Sequence, residues 1–131
     1  MNPKHAEIIN QYLGEVRATL ARLPVATIAQ VIAVLEEARD KGRSIFLFGN
    51  GGSAATASHF ASDLAKGTIC SGKPGLKAFA LTDNVPLLSA WANDSAYENV
   101  FAEQLKNFIE PGDIAIAISG SGNSPNVLNG I

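Results

Sequence analysis

Hydroxyl, amide and glycine residues are concentrated after two apolar runs of this chain, and these residue types could hold an anion. The richer cluster consists of Ser119, Gly120, Ser121, Gly122, Asn123 and Ser124. Pro125 follows the cluster and suits the first turn of a helix, while Ser124 suits the cap position before that turn. Backbone N–H groups at a helix start, together with serine hydroxyls, can donate hydrogen bonds to a phosphate. The cluster therefore predicts a phosphate-binding loop.

A second cluster of small and polar residues lies earlier in the chain. It follows the apolar run at residues 44–48 and consists of Gly49, Asn50, Gly51, Gly52 and Ser53. A similar run at residues 114–118 precedes the serine-rich cluster, and both runs are typical of buried strands. Ligands of open parallel sheets bind beyond the carboxyl ends of the strands, so neighbouring strands would bring both loops to one crevice. Amides and hydroxyls there suit a polyhydroxylated ligand, and the serines suit its phosphate.

Two nucleotide-binding motifs compete with this interpretation of the glycine-rich cluster. Residues 49–54 fit the dinucleotide fingerprint with alanine at its last position, which is a weak signal by itself. The fingerprint also needs an acidic residue about 20 positions further on, and Asp83 lies beyond that distance. No Gly-Lys-Ser or Gly-Lys-Thr follows either cluster, which excludes a P-loop for nucleoside triphosphates. We therefore expect no nucleotide cofactor.

The apolar periodicity of the chain predicts helices that alternate with strands. Strands are predicted over residues 44–48, 76–81 and 114–118, and helices over residues 5–23, 54–66, 85–91 and 97–108. A further helix would begin near Thr27, as its cap, and stop at Gly42. The predicted fold is an α/β, three-layer αβα sandwich with a parallel, flavodoxin-like sheet of three strands, preceded by two N-terminal helices. Lys77 indicates that the second strand lies nearer an edge.

Length and composition predict one domain, with a helical pair over residues 1–42 and an α/β core over residues 43–131. Hydrophobic residues make up 47% of the 131 residues and charged residues 17%, which is ample for a packed core. A net charge of −2 gives no electrostatic case for nucleic acid. Cys70 is alone, so we expect no intrachain disulfide and a cytoplasmic location. We predict neither a signal peptide nor a membrane span.

The first predicted helix carries an apolar stripe formed by Ile9, Leu13, Val16, Leu20 and Leu23. The stripe could pack against other copies of the chain, which would give a homo-oligomer, either a dimer or a tetramer. It could equally pack on its own sheet, because the apolar pattern alone does not distinguish the two arrangements.

His59 and Asp63 are four residues apart on a predicted helix and therefore share one face. Such a pair can bind zinc, or act as a base and its partner. The alternative is an ordinary hydrogen bond on a helix surface. Spacing alone favours that alternative, because one pair does not complete a zinc site.

Three motifs together resemble the sugar isomerase (SIS) domain family, and within it the phosphoheptose isomerases. Residues 48–54, with His59 shortly after them, resemble the first ligand loop and helix of that family. Residues 92–94 resemble its central motif, and residues 119–124 resemble its phosphate loop. The resemblance extends from the N-terminal helices to the last residue of the chain.

This resemblance implies an aldose–ketose isomerase that acts on sedoheptulose 7-phosphate. By position, the sugar-binding residues would be Asn50, Gly51, Gly52, Asn93 and Asp94. The phosphate-binding residues would be Ser119, Gly120, Ser121 and Ser124. His59 would be a zinc ligand, and Asp63 would be both a metal ligand and the catalytic base.

The chain departs from the family pattern in two respects. Asp63 stands where the family usually has glutamate, and a misplacement of about 1 Å can cost roughly 100-fold in rate. The family's other catalytic histidine and a metal-binding glutamine come from a C-terminal helix that this sequence does not contain. We therefore expect a shortened chain with weak or absent catalysis.

The alternative function is non-catalytic. Some SIS proteins bind a sugar phosphate or a partner without isomerising anything, and one of them is the bacterial factor that associates with the replication initiator. The corresponding helix of that factor does not keep the carboxylate, so Asp63 favours enzyme ancestry.

Overall fold

The computed structural model of the chain describes residues 3–131. They belong to two compact units, one that ends at Ala33 and one that comprises Val34–Ile131. The boundary between the units lies inside a helix. The predicted division after residue 42 separates the helical pair from the α/β core by secondary structure, which is a different criterion from compactness. It stays a prediction.

Strands and helices alternate along the chain after two initial helices. The α-helices are α1 (Pro3–Leu20), α2 (Val25–Asp40), α3 (Gly52–Ser62), α4 (Val85–Asp94), α5 (Val100–Phe108) and α6 (Pro125–Asn129). The strands are β1 (Ser44–Gly49), β2 (Lys77–Ala80) and β3 (Ile114–Ile118). A π-helix covers Asp63–Gly67, and a 3₁₀ helix covers Tyr97–Asn99.

The first two helices meet at a proline, and their ends differ from the prediction. The predicted cap, Thr27, is wrong, because α2 begins at Val25 and the Ile28 N–H donates to the Pro24 carbonyl at 3.0 Å. Proline has a helical φ, so the first turn starts directly after it. Helix α1 ends at Leu20 rather than at residue 23, since the residue before a proline is disfavoured in a helical conformation.

The first unit exposes most of its apolar side chains. The exposed residues are Ile8, Ile9, Tyr12, Leu13, Val16, Leu20, Leu23, Val25, Ile28, Val31 and Ile32. An exposed apolar surface of this kind is typical of an interaction site. In the described part of the chain, no single helix is long and apolar enough to cross a membrane. Only α1 and α2 taken together, as a bent pair, meet those two criteria.

In the second unit, three parallel strands form one sheet in the order β2-β1-β3. Gly49 at the end of β1 is opposite Ile118 at the end of β3. The predicted neighbourhood of the two loop-bearing strands is therefore confirmed, as is the edge position of the strand that contains Lys77. This order begins the flavodoxin-like arrangement, in which the switch point lies between β1 and β3.

Strand β1 anchors a hydrophobic core on each face of the sheet, because successive side chains point to opposite faces. Ile45 and Leu47 belong to a core with α3 and with Leu35 of α2. Phe46 and Phe48 belong to a second core with α4, α5 and α6. Burial of each such side chain contributes about 2 kcal/mol. Helices cover both faces, which confirms the three-layer αβα sandwich.

The helix that follows the glycine-rich loop changes type at Asp63. A helix over residues 54–66 is predicted, and the chain is helical throughout that range, but α3 ends at Ser62 and a π-helix takes over. The Asp63 N–H still donates to the carbonyls of His59 and Phe60, four and three residues earlier, so the π-helical pattern begins only after this bond. Short π-helical turns are rare and occur frequently at functional sites.

The loop before β2 packs tightly on this π-helix. A Cβ on Gly75 would lie 1.9 Å from the Ala65 carbonyl oxygen, so only glycine permits the approach. The Leu64 carbonyl accepts hydrogen bonds from the Leu76 N–H at 3.2 Å and from the Thr68 hydroxyl at 2.6 Å. The π-helix is thus held by both close packing and hydrogen bonds.

Substitution of Gly75 tests this packing. Gly75→Ala should lower the free energy of unfolding by about 1–3 kcal/mol, because the added methyl group forces the loop away from the π-helix. Gly67→Ala is the matched control, since a Cβ there meets nothing within 4 Å. Urea denaturation followed by circular dichroism measures both variants. Equal stability of the two would contradict the close approach.

Candidate functional site

Glycines allow the loop after β1 to turn while it remains close to β3. A Cβ on Gly49 would lie 2.6 Å from the Ile118 carbonyl oxygen and 2.9 Å from the Ser53 Cβ. Gly51 has a φ of 52°, in the left-handed region that favours glycine. The chain therefore leaves β1 and begins α3 in contact with the end of β3, where the second loop starts.

A reciprocal pair of amide hydrogen bonds joins the two loops. Asn50 Nδ2 donates to Asn126 Oδ1 at 2.8 Å, and Asn126 Nδ2 donates to Asn50 Oδ1 at 2.9 Å. The Tyr97 hydroxyl also donates to Asn50 Oδ1, at 3.0 Å. Asn126 is only 2% exposed, and hydrogen bonds strengthen where water is excluded. The loop after β1, helix α6 and the 3₁₀ helix are thus joined at one point.

Asn126 and Tyr97 are functional candidates that the sequence reasoning missed. A signal was available for Asn126, which lies in the first turn of the helix that follows the serine-rich loop. A buried asparagine in such a turn needs a polar partner. Tyr97 gave no local signal, because its partner Asn50 is 47 residues away in the sequence.

The serine-rich loop after β3 is organised around Ser119. Its hydroxyl accepts a hydrogen bond from the Gly122 N–H at 3.1 Å and lies 3.5 Å from the hydroxyls of Ser121 and Ser124. Three of the predicted phosphate-binding residues are therefore brought together. Ser124 occupies the N-cap position of α6, as predicted, but its side chain makes no capping hydrogen bond.

Backbone N–H groups add to these hydroxyls as hydrogen-bond donors. The N–H groups of Gly122 and Asn123 donate to serine hydroxyls. Those of Gly120, Ser121 and Ser124 have no hydrogen-bond partner within residues 3–131. Neither loop contains a charged residue, so this site would bind an anion through neutral donors.

Asn93 and Asp94, the predicted sugar-binding residues of the central motif, end α4. Both are exposed, and Asn93 Nδ2 donates to Asp94 Oδ1 at 2.7 Å. The 3₁₀ helix that contains Tyr97 follows shortly after them, and Tyr97 contacts Asn50. The chain therefore connects this motif to the paired loops, while contact of Asn93 and Asp94 with a sugar stays a prediction.

His59 and Asp63 lie on one exposed face, as their spacing predicts. His59 Nε2 is 3.3 Å from Asp63 Oδ2, and the two side chains are 81% and 67% exposed. A cavity of about 410 Å³ is lined by both, together with Thr56 and Phe60. The 11 residues of α3 separate Asp63 from the glycine-rich loop by about 16 Å along the helix.

These two side chains alone do not make a zinc site. Catalytic zinc takes three protein ligands as a rule. Among residues 3–131, no group of three or more His, Cys, Asp and Glu side chains is placed to hold a metal ion. His59 and Asp63 fit two positions of such a site, and zinc binding stays a prediction.

A larger cavity, of about 620 Å³, lies between α3 and the edge strand β2. It is lined by Ser58, Phe79 and Asp83 among others, and the Ser58 hydroxyl donates to the Asp83 carboxylate. A carboxylate with no cation among the lining residues repels a phosphate. We therefore assign the anion to the paired loops and not to this cavity.

The sandwich and its loops define a general class, the α/β proteins that bind ligands at the switch point of a parallel sheet. Comparison with known families is more specific. The family described as the SIS domain matches residues 11–131. The chain belongs to the SIS domain family.

The curated relatives and solved structures most similar in the comparison are named phosphoheptose isomerases. The chain is 40% identical over 131 residues to phosphoheptose isomerase of Thiobacillus denitrificans, and the match covers 98% of this chain and 66% of the relative. It is also 40% identical over 121 residues to probable phosphoheptose isomerase of Thermoplasma acidophilum. That match covers 92% of this chain and 66% of the relative. The chain thus spans just under two thirds of the length of these relatives.

Two solved structures have the same fold. One is a phosphoheptose isomerase from Francisella tularensis, with a TM-score of 0.86 at 29% identity over 96% of this chain and 67% of that one. The other is from Neisseria gonorrhoeae, with a TM-score of 0.83 at 30% identity over 96% and 66%. The sheet order and the helices on both faces are therefore those of a known fold.

A double-mutant cycle tests the link between the two loops. Asn50→Ala and Asn126→Ala should each lower the free energy of unfolding by about 1–3 kcal/mol, because each leaves a partner amide without its hydrogen bonds. The double variant should lose less than the sum, with a coupling energy of about 0.5–3 kcal/mol. Asn107→Ala, an exposed position on α5, is the control in the same urea experiment. Strict additivity of the two losses would contradict a direct amide pair.

Proposed function

We propose that this chain binds phosphorylated sugars and that it acts in phosphoheptose isomerisation, the exchange between sedoheptulose 7-phosphate and an aldose heptose phosphate. One observation carries the proposal, namely the Asn50–Asn126 pair that unites a glycine-rich and a serine-rich loop beyond β1 and β3. The names of relatives that are 40% identical support this substrate class.

The phosphate is proposed to bind in the serine-rich loop. Ser119, Ser121 and Ser124 have neighbouring hydroxyls, and unpaired backbone N–H groups surround them. Such a set of donors suits the several oxygens of a phosphate. The sugar would then extend toward the glycine-rich loop, where Asn50, Gly51 and Gly52 offer an amide and two backbone N–H groups.

Asp63 is proposed as the base of the isomerisation in an assembly of copies that brings a neighbouring chain's sugar to it, because Asp63 lies about 16 Å from the glycine-rich loop of its own chain. An aldose–ketose exchange moves a proton between two adjacent carbons of the open-chain sugar through an enediol. The carboxylate would take the proton from the carbon beside the carbonyl and return it to the former carbonyl carbon, while a second proton moves between the two oxygens. His59, at 3.3 Å, can orient the carboxylate.

We propose that zinc binds only in an assembly in which further residues join His59 and Asp63 as ligands. Zinc, when bound, would stabilise negative charge on the sugar oxygen. We further propose a cytoplasmic homo-oligomer, a dimer or tetramer. The exposed apolar side chains of α1 support an interface between copies, and the single cysteine is compatible with a reducing compartment.

Ligand binding tests the phosphate site. Ser121→Ala should weaken binding of sedoheptulose 7-phosphate about 10- to 100-fold, because a hydrogen bond to a charged group contributes roughly 1.5–3 kcal/mol. Ser71→Ala, in the exposed loop before β2, is the matched control and should leave the affinity unchanged. Isothermal titration calorimetry measures both. Equal affinities of the two variants for sedoheptulose 7-phosphate would contradict phosphate binding in this loop.

Turnover tests the role of Asp63. Asp63→Asn should slow formation of the aldose by at least about 100-fold, the usual contribution of a general base, whereas Asp63→Glu should retain activity. Glu36→Gln, an exposed change on α2, controls for loss of one negative charge. Rates are followed with sedoheptulose 7-phosphate and zinc present, in a form of the protein that also carries the family's C-terminal helix. Binding of the sugar phosphate without any turnover would instead favour a non-catalytic SIS protein.

A further inference from the structure

An apolar cavity of about 370 Å³ lies on the face of the sheet away from α3, where the edge strand β2 meets α4 and α5. Phe46 of β1, Phe79 of β2 and Phe108 of α5 line it, and the rings of Phe46 and Phe79 are stacked with centroids 5.9 Å apart. The side chains of Phe79 and Phe108 are about half exposed, so the cavity is open to solvent. Its size and its aromatic lining are typical of sites that bind small molecules.

The charge of the lining limits the class of ligand. The lining residues, all in the described part of the chain, include no ionisable side chain, and the polar ones are Asn84 and Gln104. Asn84 Oδ1 already accepts a hydrogen bond from the Leu87 N–H at 3.1 Å, as the cap of α4. An ion would lose water here without gaining a counter-charge, so the cavity favours a neutral ligand.

Gln104 is a polar residue in an apolar position. It is only 1% exposed and belongs to the buried face of α5, together with Val100, Phe101 and Leu105. Its Nε2 donates to the Val100 carbonyl at 2.9 Å, one turn earlier in the same helix. Because this hydrogen bond joins no two elements, the packing of the fold does not explain why an amide occupies the position.

The oxygen of the same amide has no hydrogen-bond partner. No donor within residues 3–131 reaches Gln104 Oε1. The unpaired side-chain atoms that are fully enclosed in this part of the chain are Arg39 Nε and Trp91 Nε1, so Gln104 Oε1 is not sealed off. Since Gln104 lines the cavity, a donor can reach Oε1 through it. A buried acceptor without a donor is destabilising, and a ligand N–H or O–H would remove that penalty.

We propose that this cavity binds a small, neutral aromatic molecule that carries one hydrogen-bond donor, of the kind represented by indole. The ring packs against the phenylalanine side chains, and the donor binds Gln104 Oε1. The site uses no residue of the paired loops and lies on the opposite face of the sheet from α3, which carries His59. It is therefore a second site, separate from the one proposed for the sugar phosphate.

The experiment compares two ligands of the same shape on three proteins. Indole has an N–H donor, whereas benzothiophene has sulfur in its place, no donor, and a more apolar surface. Both are titrated into the isotope-labelled chain, and the backbone amide NMR shifts report the location and the affinity of binding. Gln104→Met keeps the length of the side chain without its amide, and Gln30→Met, at an exposed position on α2, is the matched control.

We expect the wild type to bind indole about tenfold more tightly than benzothiophene, the contribution of one hydrogen bond, with shifts in β2, α4 and α5. Gln104→Met should abolish this preference and Gln30→Met should keep it. Hydrophobic burial alone gives the reverse order, because benzothiophene is the more apolar ligand.

Three results would overturn the site, and each can be read from the wild type even if Gln104→Met does not fold. The first is binding of benzothiophene that equals or exceeds that of indole. The second is a set of indole-induced shifts confined to the exposed apolar side chains of α1. The third is the absence of saturable binding, as expected if water or a second copy of the chain fills the cavity.

Discussion

The reciprocal hydrogen bonds between Asn50 and Asn126 are the interaction on which the rest of the site depends. Strand pairing brings the ends of β1 and β3 together, but it does not fix the loops that follow them. The amide pair does so, because each side chain is both donor and acceptor to the other. Asn126 is buried, so opening of the pair would leave its amide without a partner at a cost of about 1–3 kcal/mol.

The chemistry of the site is divided between the two ends of α3. At its start lies a neutral set of hydroxyl, amide and backbone N–H groups, which suits a phosphorylated sugar. Near its end lies His59, and Asp63 begins the π-helix that follows; both side chains are ionisable. Helix α3 thus separates the proposed anion-binding groups from the His59–Asp63 pair by about 16 Å.

Much of this architecture could be predicted from local sequence. The apolar runs at residues 44–48 and 114–118 predicted the two neighbouring strands β1 and β3, and the glycine and serine clusters predicted the loops at their ends. The contributions of Tyr97 and Gly75 could not be predicted. Tyr97 acts across 47 residues, and Gly75 matters only because a carbonyl of the π-helix comes within reach of its missing side chain. Such contacts depend on tertiary packing, which periodicity does not encode.

The most direct test of the account is a crystal structure of the protein with sedoheptulose 7-phosphate. The account predicts that the phosphate contacts Ser119, Ser121 and Ser124 and that the sugar lies against Asn50 with the amide pair intact. A phosphate located elsewhere, for instance in the cavity beside Ser58 and β2, would contradict it.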